Sequence, residues 1–150
     1  MKGLSLRKGI SISVITPAGA RGAAKSNAER HGVADRIEFR QSDLLEQVTE
    51  KLDIIVSNPP YVSQSEYEAL PVDVKDFEPK IALLAGTSGT VVIERLIAQS
   101  ADRLPSGGQL LMEVSPMIAE AVAKLLVDWS DVQIPLDSAG RQRIVCARKE

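Results

Sequence analysis

Asn58-Pro59-Pro60-Tyr61 is the stretch of this 150-residue chain whose residue types could do chemistry. Asn58 offers a side-chain carbonyl as acceptor and an amide as donor. The backbone carbonyls of Asn58 and Pro59 are further acceptors that no helix or ladder absorbs. Two acceptors in fixed geometry can take both hydrogens of a planar NH2 group, such as a glutamine amide or an adenine amine. Held so, the nitrogen is drawn out of conjugation and its lone pair is freed to attack an electrophile. Tyr61 adds a ring to pack against substrate or electrophile, and no ionisable base is required. The plain alternative is a Pro-Pro turn that caps a strand.

The element that must position these residues lies directly before them. Asp53-Ile54-Ile55-Val56-Ser57 is an acidic residue followed by an apolar run, the pattern of a strand buried on both faces. Neither Pro59 nor Pro60 can donate to a ladder, so the strand ends there. Pro60 also holds Pro59 extended. The result is a stiff elbow at the carboxyl end of a strand, where open α/β sheets place their ligands.

Ser57-Asn58-Pro59-Pro60-Tyr61 resembles the amine-binding signature of S-adenosylmethionine-dependent amino-methyltransferases. Further stretches resemble the HemK-type glutamine N5-methyltransferases, which modify peptide-chain release factors. These are Phe77-Glu78-Pro79 with the following Ala82-Leu83 and Gly86 to Gly89, then Gly107-Gly108 with the apolar run to Glu113. A closing Asp137-x-x-Gly140-x-x-Arg143-Ile144 matches as well. The resemblance runs from about residue 14 to the end. It implies a protein-glutamine methyltransferase with S-adenosylmethionine as donor and a release factor as protein partner. Asn58, Pro59 and Tyr61 would be catalytic, and Asp43, Leu44 and Asn58 would touch the cofactor. Asn58, Pro59, Pro60, Tyr61 and Glu78 would bind substrate, with no metal. Three departures stand out. The family's glycine-rich cofactor turn and the helical domain before it have no counterpart in this sequence. Val14 stands where the family carries an acidic ligand for the ribose.

Composition sets bounds. The chain is 44% hydrophobic and 25% charged, at globular averages, and its length suits a single domain spanning 1–150 with residues 1–9 disordered. Aromatics make up only 3%, so the core is aliphatic. The net charge is −2, with no basic stripe, which argues against a dedicated nucleic-acid binder. Cys146 is the only cysteine and His31 the only histidine, too few for a clustered metal site. A lone cysteine in a strand pattern reads as a reduced core residue, and hence as a cytoplasmic protein. No apolar run reaches membrane-spanning length.

Periodicity supplies the other elements. Residues 10–15 alternate as a strand, Thr16-Pro17 opens a helix over 18–31 ending at Gly32, and 36–40 alternate again. An acidic connection holding Glu66, Glu68, Asp73 and Asp76 follows Tyr61 and reads as a solvated face. Residues 90–104 have helical spacing through Val92, Ile93, Leu96, Ile97 and Ala101. Residues 109–114 form a buried strand. Ser115-Pro116 opens a helix with Ile118, Ala121, Val122, Leu125 and Leu126 inward, closed by a core Trp129. Residues 131–136 and 143–147 read as strands, with Asp137 and Arg143 paired across their turn.

These elements specify an α/β fold, and the resemblance makes it a Rossmann-like methyltransferase fold, N-terminally truncated, with an antiparallel C-terminal hairpin. The family's first strand, central in its sheet, is the missing one. Either strand 10–15 then pairs directly beside 53–57, or two chains share strands as a homodimer. Two other functions stay open: a catalytically silent methyltransferase-like remnant that dimerises, and a nucleic-acid adenine amino-methyltransferase.

Overall fold

The computed structural model describes residues 11–15, 20–62, 64–69, 85 and 89–150. The chain forms two compact units, Met1–Val48 and Thr49–Glu150. Residues 1–9, Thr16-Pro17 and Glu78 lie outside the described residues.

In the first unit, β1 (Ser11–Ile15) pairs in parallel with β2 (Ile37–Gln41), Ser11 facing Ile37 and Ile15 facing Gln41. Parallel strands need a crossover, and α1 (Ala20–Arg30) supplies it. This helix stops where the sequence says it should. Gly32 takes φ 63°, its N–H donates to the Glu29 carbonyl, and Val33 N–H reaches back to Ala28. That is the doubly bonded glycine cap, which only a residue without a Cβ adopts freely.

The second unit is a four-stranded sheet in the order β3-β4-β6-β5. β3 (Ile54–Ser57) runs parallel to β4 (Gln109–Glu113). β6 (Ile144–Lys149) is antiparallel to both β4 and β5 (Trp129–Gln133), which gives the expected closing hairpin. A short α2 (Gln64–Ala69) follows the elbow, α3 (Val91–Arg103) precedes β4, and α4 (Ala119–Lys124) precedes β5. The expected pairing of strand 10–15 beside 53–57 is not formed. β1 belongs to a two-stranded sheet with β2, and β3 has a ladder partner on one side only among the described residues.

The core of this unit lies on one face of its sheet. Ile55 of β3, Leu110 and Met112 of β4, and Val145 and Ala147 of β6 are all buried. Ile93, Leu96 and Ile97 of α3, Val122 of α4 and Leu126 are buried as well. Among the described residues, the opposite face is open. Ile54 is 55% exposed and Val56 75%, and Leu111 and Cys146 are half-buried. The reading of 53–57 as buried on both faces is therefore corrected. Side chains alternate across a strand, so one covered face protects only every second residue.

Three local expectations also shift. The helix after Ser115-Pro116 spans only Ala119–Lys124, leaving Ala121 and Leu125 exposed. Its end tightens through three-residue bonds, Leu126 N–H to Ala123 and Trp129 N–H to Leu126. Trp129 consequently opens β5 facing Lys149 and is half-buried, not core. β5 also carries a bulge, since Asp131 and Val132 together stand opposite Ala147. Asp131 takes φ 50° there, and its carboxylate accepts from Arg148 Nε at 3.0 Å.

Candidate functional site

β3 delivers the Asn-Pro-Pro-Tyr elbow at its carboxyl end, as the prolines require. Asn58 is exposed, Pro59 buried, and Pro60 and Tyr61 half-buried. The buried ring of Pro59 anchors the turn, while the amide beside it stays in solvent. Beyond Tyr61, the Val62 carbonyl accepts from Ala85 N–H at 2.8 Å, which ties down the segment leaving the elbow.

Parallel pairing brings a second group to this end of the sheet. Ser57 faces Met112, so the next residues, Asn58 and Glu113, emerge side by side. A cavity of about 240 Å³ opens there, with Ser57, Asn58 and Glu113 as its polar lining and Val56, Leu111 and Ile144 as its apolar wall. The lining thus sets an amide, a hydroxyl and a carboxylate beside an apolar strip. Glu113 does not stand out in the sequence by its residue type. Its signal was available, because it ends an apolar strand next to the one carrying the elbow.

Asp43 and Leu44 belong to the first unit, just after β2. Asp43 is exposed, and its carbonyl accepts from Glu46 N–H at 3.2 Å. The buried Ser42 hydroxyl accepts from Gln47 N–H at 3.0 Å and fixes the turn. Leu44 is held at φ 50°, a left-handed conformation costly for a branched side chain. Val14 lies within β1. Among the described residues, no group of three or more His, Cys, Asp or Glu is arranged to hold a metal. No helix among them is long and apolar enough to cross a membrane.

The donor set at the elbow does not by itself fit a whole nucleoside-sulfonium cofactor. A cavity of about 240 Å³ falls below the roughly 300–1,000 Å³ that encloses a ligand of that class. One amide, one hydroxyl and one carboxylate can orient an amine, but they do not ring both a ribose and an amino-acid group.

Solved structures place the fold in a class. The ribosomal protein L11 methylase of Lactobacillus delbrueckii subsp. bulgaricus superposes with a TM-score of 0.62 at 22% identity, covering 94% of this chain and 58% of that one. A methyltransferase from Pyrococcus furiosus superposes at 0.66 with 16% identity, covering 93% and 62%. The architecture is that of the Rossmann-like S-adenosylmethionine-dependent methyltransferases. Residues 15–72 match the family model described as methyltransferase small domain. Curated relatives narrow the class. A release factor glutamine methyltransferase of Rhodopirellula baltica is 45% identical over 132 residues, 84% of this chain and 44% of the relative. One of Koribacter versatilis is 40% identical over 128 residues, covering 84% and 45%. The chain belongs to the HemK-type methyltransferase family, and it spans about half the length of the curated relatives it matches.

Proposed function

We propose that this chain carries the acceptor-amide site of a protein-glutamine N5-methyltransferase, with a peptide-chain release factor as the substrate protein. The observation that supports this most is the Asn-Pro-Pro-Tyr elbow at the carboxyl end of β3, open to solvent at Asn58 and flanked by Glu113. Asn58 Oδ1 and the elbow carbonyls accept from the glutamine NH2, which fixes the nitrogen and leaves its lone pair unconjugated. Tyr61 packs beside the substrate. The apolar wall of Val56, Leu111 and Ile144 takes the methylenes of the glutamine side chain. Positioning and electrostatic preorganisation carry such a reaction, because no group on the elbow needs to change its charge.

S-adenosylmethionine is the methyl donor in this reading.

The test is methyl transfer from labelled S-adenosylmethionine to a purified release factor, run beside calorimetric titration with S-adenosylhomocysteine. The reading expects methylglutamine on the release factor and its loss in Asn58→Ala. Asn58 is exposed, so this substitution should change stability by no more than about 0.5 kcal/mol. The loss of one or two hydrogen bonds should weaken amide binding by roughly 10- to 100-fold. No methyl transfer, with no heat at millimolar cofactor analogue, would make the chain a methyltransferase-like fold and not an enzyme.

A further inference from the structure

Charge is unevenly matched on the sheet of the second unit. In the turn between β5 and β6, Asp137 Oδ2 lies 3.2 Å from Arg141 Nε and 3.6 Å from Arg143 Nε. Further along β6, Arg148 Nε pairs with Asp131 at 3.0 Å. All three guanidinium groups thus lie against a carboxylate. Glu113 has no such cation: among the described residues, no hydrogen bond or ion pair holds its side chain. Its register partner is Ile144, so Arg143, one residue earlier, alternates to the other face. The Glu113 carboxylate instead lines the cavity of about 240 Å³ beside Ser57 and Asn58. We propose that Glu113 determines specificity at this site, its uncompensated charge rejecting a carboxylate and so selecting the amide of glutamine over glutamate. The proposal rests on the amide-site reading above and gives that site its means of exclusion.

The other groups of the lining do not make this choice. A serine hydroxyl rotates to donate or to accept. An asparagine side chain turned by half a revolution exchanges its carbonyl for its NH2. Ser57 and Asn58 therefore accept from an amide or donate to a carboxylate with equal ease. The elbow carbonyls oppose a carboxylate only as dipoles. The apolar wall of Val56, Leu111 and Ile144 serves both ligands, because glutamine and glutamate present the same methylenes.

An ionised carboxylate differs from all of these. It has acceptors and no donor, and it carries a full charge. Specificity of this kind comes from a repulsive element set against the wrong ligand. Like charges about 5 Å apart, in an effective dielectric between about 20 and 80, repel enough to cost roughly fourfold to a few hundredfold in affinity.

The test is calorimetric titration of the full chain with a release-factor peptide containing the acceptor glutamine, and with its glutamine-to-glutamate counterpart. The quantity read is the ratio of the two dissociation constants. It should favour the glutamine peptide by roughly tenfold or more, and Glu113→Gln should bring it to within about threefold of unity. Glu113→Asp keeps the charge and should retain most of the preference. A merely structural role would weaken both peptides together and leave the ratio standing. A ratio near unity in the unaltered chain, one that survives Glu113→Gln, or one that collapses equally in Glu113→Asp would each overturn the proposal. Asn58→Ala separates this result from the wider reading. If it abolishes binding of the glutamine peptide while the ratio ignores Glu113→Gln, only the Glu113 assignment fails. If the unaltered chain binds neither peptide, both fail.

Discussion

Truncating Leu110 and Val56 to alanine tests the one-sided sheet, because the two residues sit on neighbouring strands and opposite faces. Leu110 is fully buried and lies in register between Ile55 and Ala147, both buried. Its neighbours are fixed by two ladders and by the helices above them, so little can collapse into the space left behind. Leu110→Ala should cost about 3 kcal/mol, within the roughly 2–5 kcal/mol typical of such cavities. Val56 is 75% exposed, so at most a quarter of its burial energy is at stake. A fully buried valine contributes roughly 1.5–3 kcal/mol, which leaves about 0.4–0.8 kcal/mol for Val56→Ala. Trp129 is the only tryptophan and opens β5, so its fluorescence in urea reports on this unit alone. With a slope of about 2 kcal/mol per M, Leu110→Ala should lower the midpoint by roughly 1.5 M and Val56→Ala by roughly 0.3 M. Equal shifts would mean that both faces are covered, and the account of the open face would fail.

Other perturbations follow from single contacts. A methyl added at Gly108 would stand 3.0 Å from Leu104 Cβ, Leu104 Cδ2 and the Pro105 carbonyl oxygen. Leu104 is buried and Pro105 O already accepts from Gly108 N–H, so Gly108→Ala should destabilise by about 1–3 kcal/mol in the same urea assay. Asp137 accepts from the backbone N–H of Arg141 at 2.9 Å and of Ala139 at 2.8 Å, and it pairs with the Arg141 guanidinium. The Arg141 N–H above all holds its carboxyl below the ordinary 3.8. A depressed carboxylate stabilises the turn above the unfolded value and releases it as pH falls through the folded one. The Ala139 and Arg141 amide resonances should therefore titrate with a midpoint below 3.8, and Asp137→Asn should abolish that titration. Burial raises the Cys146 thiol above its ordinary value, so alkylation at mildly alkaline pH should run slower than for a free cysteine.

Much of this architecture was legible because local signals agreed. The helix α3 rests on the spacing of its apolar residues, while the Gly32 cap and the strand ending at the double proline rest on the stereochemistry of one or two residues. So does the turn at Asp137, whose pairing with Arg143 is found at 3.6 Å. What the pattern could not carry was which neighbours a strand has. Ile54-Ile55-Val56 reads as doubly buried because apolarity records the surroundings a strand is suited to, not those supplied to it. The bulge at Asp131 and the early start of β5 at Trp129 were invisible for a related reason. They depend on the register against β6, a long-range choice with no periodic signature. At the site, the elbow announced itself through two prolines. Glu113 gained its place only from the parallel pairing that sets it beside Asn58.

Recognition of a primary amide is the property proposed for the elbow. The most direct measurement is a nuclear magnetic resonance titration of the isotope-labelled chain with a release-factor peptide containing the acceptor glutamine, and with its glutamine-to-glutamate counterpart. Shifts are expected at the Asn58 side-chain amide, Tyr61 and Glu113 with the glutamine peptide, and their loss with the glutamate one. Equal shifts with both peptides, or none with either, would contradict it.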